Sequence, residues 1–227
     1  MARRLAEEAM ALCPEAPTPY NLLAWVNLND YWLGSSKAPQ ESLDKAIELM
    51  QKAVTMDDNN AEFHGSLSRF YAINREYDKA VAEGERAMTL NPGGALVLAY
   101  YGGSLMAAGR PEEAIPLFQK AIRLNPLGPA YYFQQLGEAL RMAGRLEEAV
   151  PILKKAIQRQ PTLIWPHLSL AATYSLMNQA KEARAEAEEI LKINPKFSLD
   201  YFAKVLSYKD QTGNEKYINA LRKTGLK

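Results

Sequence analysis

The sequence predicts an all-α fold, a right-handed α-solenoid of antiparallel helix pairs, and two observations carry this prediction. The first is an internal repeat, in which residues 109–122 align with residues 144–157 at an offset of 35. The second is a series of prolines spaced by 34, 35 and 34 residues, at Pro92, Pro126, Pro161 and Pro195. A unit of this length fits two short amphipathic helices, and neither helix can bury its apolar face until pairs stack on one another.

Four consecutive units share one phase, and they cover residues 61–94, 95–129, 130–163 and 164–197. Small residues recur where two helices should approach each other most closely. In two of the units these are Gly102, Ala114 and Ala121, and then Gly137, Ala149 and Ala156. Larger apolar residues lie between them, such as Leu98 and Phe118. The phase predicts one helix–turn–helix pair for each unit.

This phased pattern resembles the tetratricopeptide repeat family. Units of that family carry a large residue at position 4, a small one at position 8, alanine at positions 20 and 27, and proline at position 32. The four units match at most of these positions. The resemblance implies a superhelix in which the first helix of every pair lines a concave face and the second helix faces outward.

The flanking regions also read as repeat material. Residues 1–14 resemble the second helix of a half repeat, and residues 15–60 resemble a repeat with an elongated turn at 34–39. In that repeat the helices are expected at Thr18–Leu33 and Gln40–Thr55. After Pro195 the pattern stops. Residues 198–227 are expected to form two capping helices, Ser198–Tyr208 and Asn214–Lys223.

A narrower resemblance is to the C-terminal repeat region of bacterial adenylate/guanylate cyclase fusion proteins. The segments that suggest it are residues 27–32 (NLNDYW), residues 108–115 (AGRPEEAI) and the ending at residues 197–226. In that family a class III cyclase domain precedes the repeats. None of its metal-binding carboxylate motif is visible here, so the resemblance implies a regulatory arm and no cyclase activity.

Composition excludes several classes of function. Hydrophobic residues make up 48% of the chain and charged residues 23%, and the net charge is +1, so no basic footprint for nucleic acid is present. No apolar run approaches the roughly 20 residues needed to span a bilayer. Cys13 is the only cysteine, which excludes an internal disulfide. We expect a cytoplasmic protein that neither inserts into a membrane by itself nor binds nucleic acid, although a longer parent chain could be membrane-attached.

No residue pattern of an enzyme, a metal site or a cofactor site is visible. The two histidines, His64 and His167, both fall at repeat position 4, a packing position, so buried and hydrogen-bonded rings are favoured over ligands or catalytic bases. The acidic pair Glu112 and Glu113 falls in the first turn of a helix, where negative charge is stabilised by the helix dipole. We therefore predict no catalytic residues, no cofactor and no metal.

The resemblance also implies where a partner would bind. Groove side chains in the family come mainly from positions 2, 5, 9, 12 and 13 of each repeat. On this chain these are Glu62, Arg69, Leu96, Ala99, Gly103, Met106, Tyr131, Gln134, Glu138, Arg141, Trp165, Leu168 and Ala172. Tyr131, Arg141 and Trp165 are expected to carry much of the affinity, unless Trp165 packs on a neighbouring unit instead.

Two functions remain open at this point. The first is an interaction scaffold that binds a protein or peptide segment in the groove. The alternative is a self-association module, in which the exposed face of the N-terminal helix is buried by another copy and the parent protein forms a homodimer or larger oligomer.

Overall fold

The computed structural model describes residues 2–33 and 35–227, and this part of the chain is all helical, with thirteen helices and no strand. Met1 and Gly34, which belong to the predicted half repeat and elongated turn, lie outside the described residues. The helices are α1 (Ala2–Leu12), α2 (Pro17–Leu33), α3 (Pro39–Met56), α4 (Ala61–Ile73), α5 (Tyr77–Leu90), α6 (Ala95–Ala107), α7 (Pro111–Leu124), α8 (Ala130–Met142), α9 (Leu146–Arg159), α10 (Ile164–Leu176), α11 (Ala180–Ile193), α12 (Leu199–Val205) and α13 (Gln211–Arg222).

The chain divides into two compact units, with the boundary between Ser104 and Leu105 inside α6. In unit 1, which ends at Ser104, α2 packs on α1 and α3, and α4 packs on α3 and α5. The largest fully buried side chains of this unit are Leu28, Leu43, Met50, Phe70 and Leu98.

Unit 2 begins at Leu105, and in it neighbouring helices pack in chain order from α7 to α11. Its core contains Phe118, Leu153, Leu168, Leu170 and Ile190. Gly137 shows why a small residue is needed at repeat position 8. A Cβ atom on Gly137 would lie 2.5 Å from the fully buried side chain of Leu153, which would have to repack for α8 and α9 to stay this close.

The tight turn inside each repeat is closed in the same way four times. The residue at repeat position 15 has positive φ in each of the four repeats, at Arg75, Gly109, Gly144 and Asn178. The next residue then donates its backbone N–H back to the fifth residue before it, as from Arg145 to Leu140 at 2.9 Å. This is the Schellman ending of a helix, which satisfies carbonyl groups that the helix leaves unpaired.

The turns between repeats explain the spaced prolines. Each turn has a backbone hydrogen bond from its fourth residue to its first, for example from Gly128 to Asn125 at 2.9 Å. Pro92, Pro126, Pro161 and Pro195 occupy the second position of such turns, where the fixed φ of proline is favourable. Cys13 opens an equivalent turn, and its side chain is exposed.

The two C-terminal helices differ in extent from the sequence prediction. The first ends at Val205 rather than at Tyr208, and the second begins at Gln211 rather than at Asn214. The second helix starts early because the Asp210 side chain accepts the backbone N–H of Gly213 and caps it. Within this C-terminal pair, which we define as residues 198–227, the N–H of Leu199 donates to the carbonyl of Lys227 at 2.6 Å.

Candidate partner-binding faces

Unit 1 carries a cluster of aromatic side chains contributed by three first helices. The Trp25 ring of α2 makes a T-shaped contact with the Phe70 ring of α4, with the ring centroids 5.0 Å apart. It also stacks on the Tyr100 ring of α6, with a centroid distance of 5.9 Å. Beside them, the Arg69 guanidinium lies over the Trp32 ring at 5.1 Å. We call these five residues the aromatic face. Phe70 is fully buried, whereas the other four are partly exposed.

Gly65 is the residue that allows the aromatic face to form. A Cβ atom at Gly65 would lie 2.9 Å from Cδ2 of Tyr100. The missing side chain therefore lets the Tyr100 ring lie against α4 and reach Trp25. The sequence analysis did not find Tyr100, because it lies at position 6 of its repeat, which is not among the groove positions that the family resemblance implies. The available signal in the sequence was a glycine at position 5 of one repeat, Gly65, followed by a tyrosine at position 6 of the next repeat, Tyr100.

The thirteen groove residues predicted from the sequence differ widely in exposure. Glu62 is exposed, and Arg69, Leu96, Gly103, Tyr131 and Trp165 are partly exposed. The other seven are buried, namely Ala99, Met106, Gln134, Glu138, Arg141, Leu168 and Ala172. Partner binding by these residues stays a prediction. The burial adds a condition to it, because a buried residue can contact a partner only after whatever covers it has moved.

In unit 2 part of the groove side is covered by the C-terminal pair. Helix α13 packs on α10, and the Arg141 guanidinium lies 3.8 Å from the centroid of the Tyr217 ring. Phe202 of α12 lies 6.1 Å from the ring of Trp165, so Trp165 does pack on a neighbouring element while remaining partly exposed. The N–H of Lys209 donates to the carbonyl of Ala107 at 2.8 Å. We call Glu138, Arg141, Trp165 and Ser169 the covered face.

A buried ion pair forms the centre of the covered face. Arg141 donates two hydrogen bonds to Glu138, with lengths of 3.1 and 2.6 Å, and both side chains are almost fully buried. Ser169 donates to Glu138 at 2.6 Å, and the Tyr208 hydroxyl donates to it at 3.3 Å. Although burial alone would raise the pKa of Glu138, Arg141 and these hydrogen bonds hold that pKa below its ordinary value. Glu138 is therefore an ionised carboxylate with a complete set of partners.

The two tyrosines of the C-terminal pair remain protonated in this environment. Burial, followed by the nearby Glu138 carboxylate, raises the pKa of both Tyr208 and Tyr217. The Tyr208 hydroxyl can therefore act as a hydrogen-bond donor to Glu138 over the whole physiological pH range. The contact between the covered face and the C-terminal pair is thus chemically specific. The Glu138 carboxylate accepts a hydrogen bond from the Tyr208 hydroxyl, and the Arg141 guanidinium packs on the Tyr217 ring.

The two histidines confirm the sequence interpretation of buried, hydrogen-bonded rings. His64 contacts Glu83 at 2.6 Å through Nδ1 and the carbonyl of Asp58 at 2.9 Å through Nε2. His167 repeats this arrangement in unit 2, with Glu186 at 2.7 Å and the carbonyl of Pro161 at 3.0 Å. Both rings connect the loop before a first helix to the second helix of the same repeat. Among residues 2–33 and 35–227 no group of three or more side chains is placed to hold a metal ion.

Comparison with known proteins agrees with this architecture. Tetratricopeptide repeat family models match residues 33–95, 102–164 and 140–205. The chain therefore belongs to the tetratricopeptide repeat family, an all-helical class of protein-interaction scaffold. No helix within the described residues is long and apolar enough to cross a membrane.

Individual relatives show similarity over part of their length or in fold alone. The transcriptional regulator HilA of Salmonella typhimurium is 30% identical over 125 residues, which is 55% of this chain and 22% of that protein. The chain thus spans about a fifth of the length of the curated relatives it matches.

Among solved structures, the thermophilic TPR protein TTC0263 of Thermus thermophilus is 21% identical with a TM-score of 0.63, and the match covers 86% of this chain and 99% of that one. YrrB, described as a TPR protein with an unusual peptide-binding site, is 22% identical with a TM-score of 0.53, and the match covers 88% and 97% of the two chains. These two structures share the fold of this chain.

Proposed function

We propose that the chain binds a segment of a partner protein on the aromatic face of unit 1. The observation that carries this proposal is the stack of Trp25 on Tyr100, which stays partly exposed to solvent on the side formed by the first helices. Aromatic side chains bury a large area at little cost in conformational entropy, and they contribute much of the binding energy at protein interfaces.

The surroundings of the stack favour a segment with one apolar anchor and polar flanks. Glu62 is exposed, and Leu96 and Gly103 are partly exposed. Gly103 leaves room for a backbone to approach, while Leu96 offers a small apolar contact. An apolar or aromatic side chain of the partner would lie against Trp25 and Tyr100, and its polar groups would remain near Glu62.

The test compares two double variants of the full chain in quantitative capture of partners from the source organism. Trp25→Ala with Tyr100→Ala should weaken capture, because truncation of an aromatic anchor typically costs about 2 kcal/mol, or roughly 30-fold in affinity. Tyr131→Ala with Trp165→Ala is the matched change in unit 2 and should leave capture of the same partner nearly unchanged. The opposite pattern would place the binding site in unit 2, and helical circular dichroism serves as the folding control for both.

A narrower proposal is that the chain is the regulatory arm of a cyclase-type signalling protein. Its support is the resemblance of residues 27–32, 108–115 and 197–226 to cyclase-linked repeats. The gene sequence upstream of Met1 tests it directly. A class III cyclase domain in the same reading frame would support the proposal, and a different upstream domain or none would contradict it.

Self-association is the alternative function, and one observation favours it. On α1, Leu5 is 48% exposed and Leu12 is 82% exposed, whereas Ala6 is fully buried against the rest of unit 1. Burying two leucines against another copy would stabilise a dimer. Sedimentation of the wild-type chain and of a Leu5→Glu, Leu12→Glu variant tests this: a dimer that becomes a monomer supports self-association, and a wild-type monomer at all concentrations contradicts it.

A further inference from the structure

The C-terminal pair is a coherent element in its own right. Helices α12 and α13 pack on each other, and Phe202 meets Tyr217 edge-on at a ring distance of 5.7 Å. The Leu199–Lys227 backbone bond ties the two ends of the pair together. Each helix also has its own cap, because Ser198 accepts from the N–H of Tyr201 and Asp210 from that of Gly213. These contacts are internal to residues 198–227.

The centre of the surface beneath the pair is polar, although the pair also buries apolar side chains such as Phe202, Ile218 and Leu221. Glu138, Arg141 and Ser169 lie under Tyr208 and Tyr217, and next to them Gln134 and Gln135 are buried as well. Replacing a buried ion pair by apolar residues is usually neutral or stabilising, so a buried pair is weak evidence for a contact selected for stability alone. The same side chains are well suited to a surface that is hydrated whenever its cover is removed.

The pair presents a defined set of groups to this surface. Tyr217 places its ring against Arg141, and Tyr208 places its hydroxyl against Glu138. The opposite side of α13 is solvent-facing, with Lys216, Asn219 and Arg222 exposed. The pair therefore faces the repeats with Tyr217 of α13 and with Tyr208 of the turn between its two helices, while the other side of α13 faces solvent, as a bound helical ligand lies in a groove.

We infer that the C-terminal pair, residues 198–227, is a reversible internal ligand of the covered face. While the pair is docked, Glu138, Arg141 and Ser169 are closed to other segments. When it is released, the face accepts a helical segment that carries a tyrosine ring for Arg141 and a hydroxyl for Glu138. This regulation concerns unit 2 and is independent of the proposed role of the aromatic face.

The first test is hydrogen exchange of the full wild-type chain followed by mass spectrometry. A reversible ligand opens without unfolding its groove, so amides of residues 211–222 should exchange at least about tenfold faster than those of α8 and α10. Equal protection of α13, α8 and α10 would mean that the pair is an inseparable part of unit 2 and would overturn the inference.

The second test uses a fluorescent synthetic peptide of residues 198–227 as the probe. A full-length Tyr208→Phe, Tyr217→Ala variant weakens the resident pair but keeps the face, so it should bind the peptide at least about tenfold more tightly than the wild type does. Lys216→Ala, an exposed change on the same helix, is the matched control and should bind like the wild type. A variant with unchanged helical circular dichroism that does not bind the peptide would overturn the inference.

Discussion

The first-helix faces of the two units are built from the same repeat positions and are filled in different ways. In unit 1 the face of the first helices is filled by side chains of the repeats themselves, with Trp25 stacked on Tyr100. In unit 2 it is occupied by residues from outside the repeats, with Tyr217 on Arg141. The first face stays partly open to solvent, whereas the centre of the second is closed. A repeat pattern thus defines which residues point to the groove side, but it does not define what covers them.

Repeat position 9 shows the difference at a single site. It is Arg69 in unit 1, partly exposed over the Trp32 ring, and Glu138 in unit 2, with 1% of its surface exposed. Both are charged residues at a position that the family uses for ligand contacts. Glu138 accepts four hydrogen bonds, one of them from the C-terminal pair.

The largest expected effect separates these two charges. Glu138→Ala leaves Arg141 buried without its partner, which should cost the closed arrangement of unit 2 about 3–5 kcal/mol. Arg69→Ala removes a cation–π contact at a partly exposed site, typically about 0.5–1 kcal/mol. Urea denaturation of the two variants, with hydrogen exchange of residues 211–222, measures both. Similar losses of stability would show that the two faces are equally buried and would remove the contrast between them.

The second prediction asks whether the His167 ring carries charge. Burial by itself lowers the pKa of the His167 ring, but the bonds to Glu186 and to the Pro161 carbonyl outweigh it and raise the pKa above 6.5. A raised folded-state pKa gives stability that is fully present below the unfolded-state pKa and is lost as the pH rises through the folded-state pKa.

Glu186→Gln should therefore destabilise the chain most at about pH 6, by roughly 1.5–3 kcal/mol for a hydrogen bond to a charged group. Its effect should shrink as the pH rises through the folded-state pKa of His167 and the ring loses its charge. Glu188→Gln, at an exposed carboxylate on the same helix, is the control for a general charge effect. Melting temperatures at several pH values measure this, and a Glu186→Gln effect that does not vary with pH would contradict a charged ring.

The third prediction compares the tight turns of the two units. Arg75 of unit 1 has a φ of 63°, while Gly144 of unit 2 has a φ of 77° at the same repeat position. A left-handed conformation costs a residue with a side chain roughly 1–2 kcal/mol. Arg75→Gly should therefore stabilise unit 1 by about 1 kcal/mol, and Gly144→Ala should destabilise unit 2 by a similar amount.

Packing does not complicate the second of these changes, because a Cβ atom at Gly144 would have no neighbour within 4 Å. Urea denaturation of both variants is the measurement. A loss of stability in Arg75→Gly would mean that contacts of the Arg75 side chain outweigh its backbone strain.

The smallest effect on stability is expected for Gly65→Ala. The new methyl group would displace the Tyr100 ring, but alanine is favoured over glycine in a helix by about 1 kcal/mol, which offsets much of the lost contact. The near-ultraviolet circular dichroism should change, and capture of the partner proposed for the aromatic face should weaken. Unchanged capture by a variant with a changed spectrum would mean that the Trp25–Tyr100 stack does not bind the partner.

Much of the fold follows from local sequence patterns, since the first helices of four repeats begin at Ala61, Ala95, Ala130 and Ile164, where the repeat phase places them. The buried histidines follow in the same way from their position in the repeat. Other features depend on contacts distant in sequence. The Tyr208–Glu138 bond joins residues 70 positions apart, and no periodic pattern indicates that residues after the last repeat would lie over a groove position.

The central claim, that one face is open and the other is closed by the C-terminal pair, can be measured by thiol labelling. In a Cys13→Ser background, Leu96→Cys places a thiol on the partly exposed groove side of unit 1, and Ser169→Cys places one under the pair in unit 2. We predict fast labelling at position 96, slow labelling at position 169, and an acceleration at position 169 alone when Tyr217→Ala is added. Equally fast labelling at both positions without Tyr217→Ala, or no response of position 169 to it, would contradict the account.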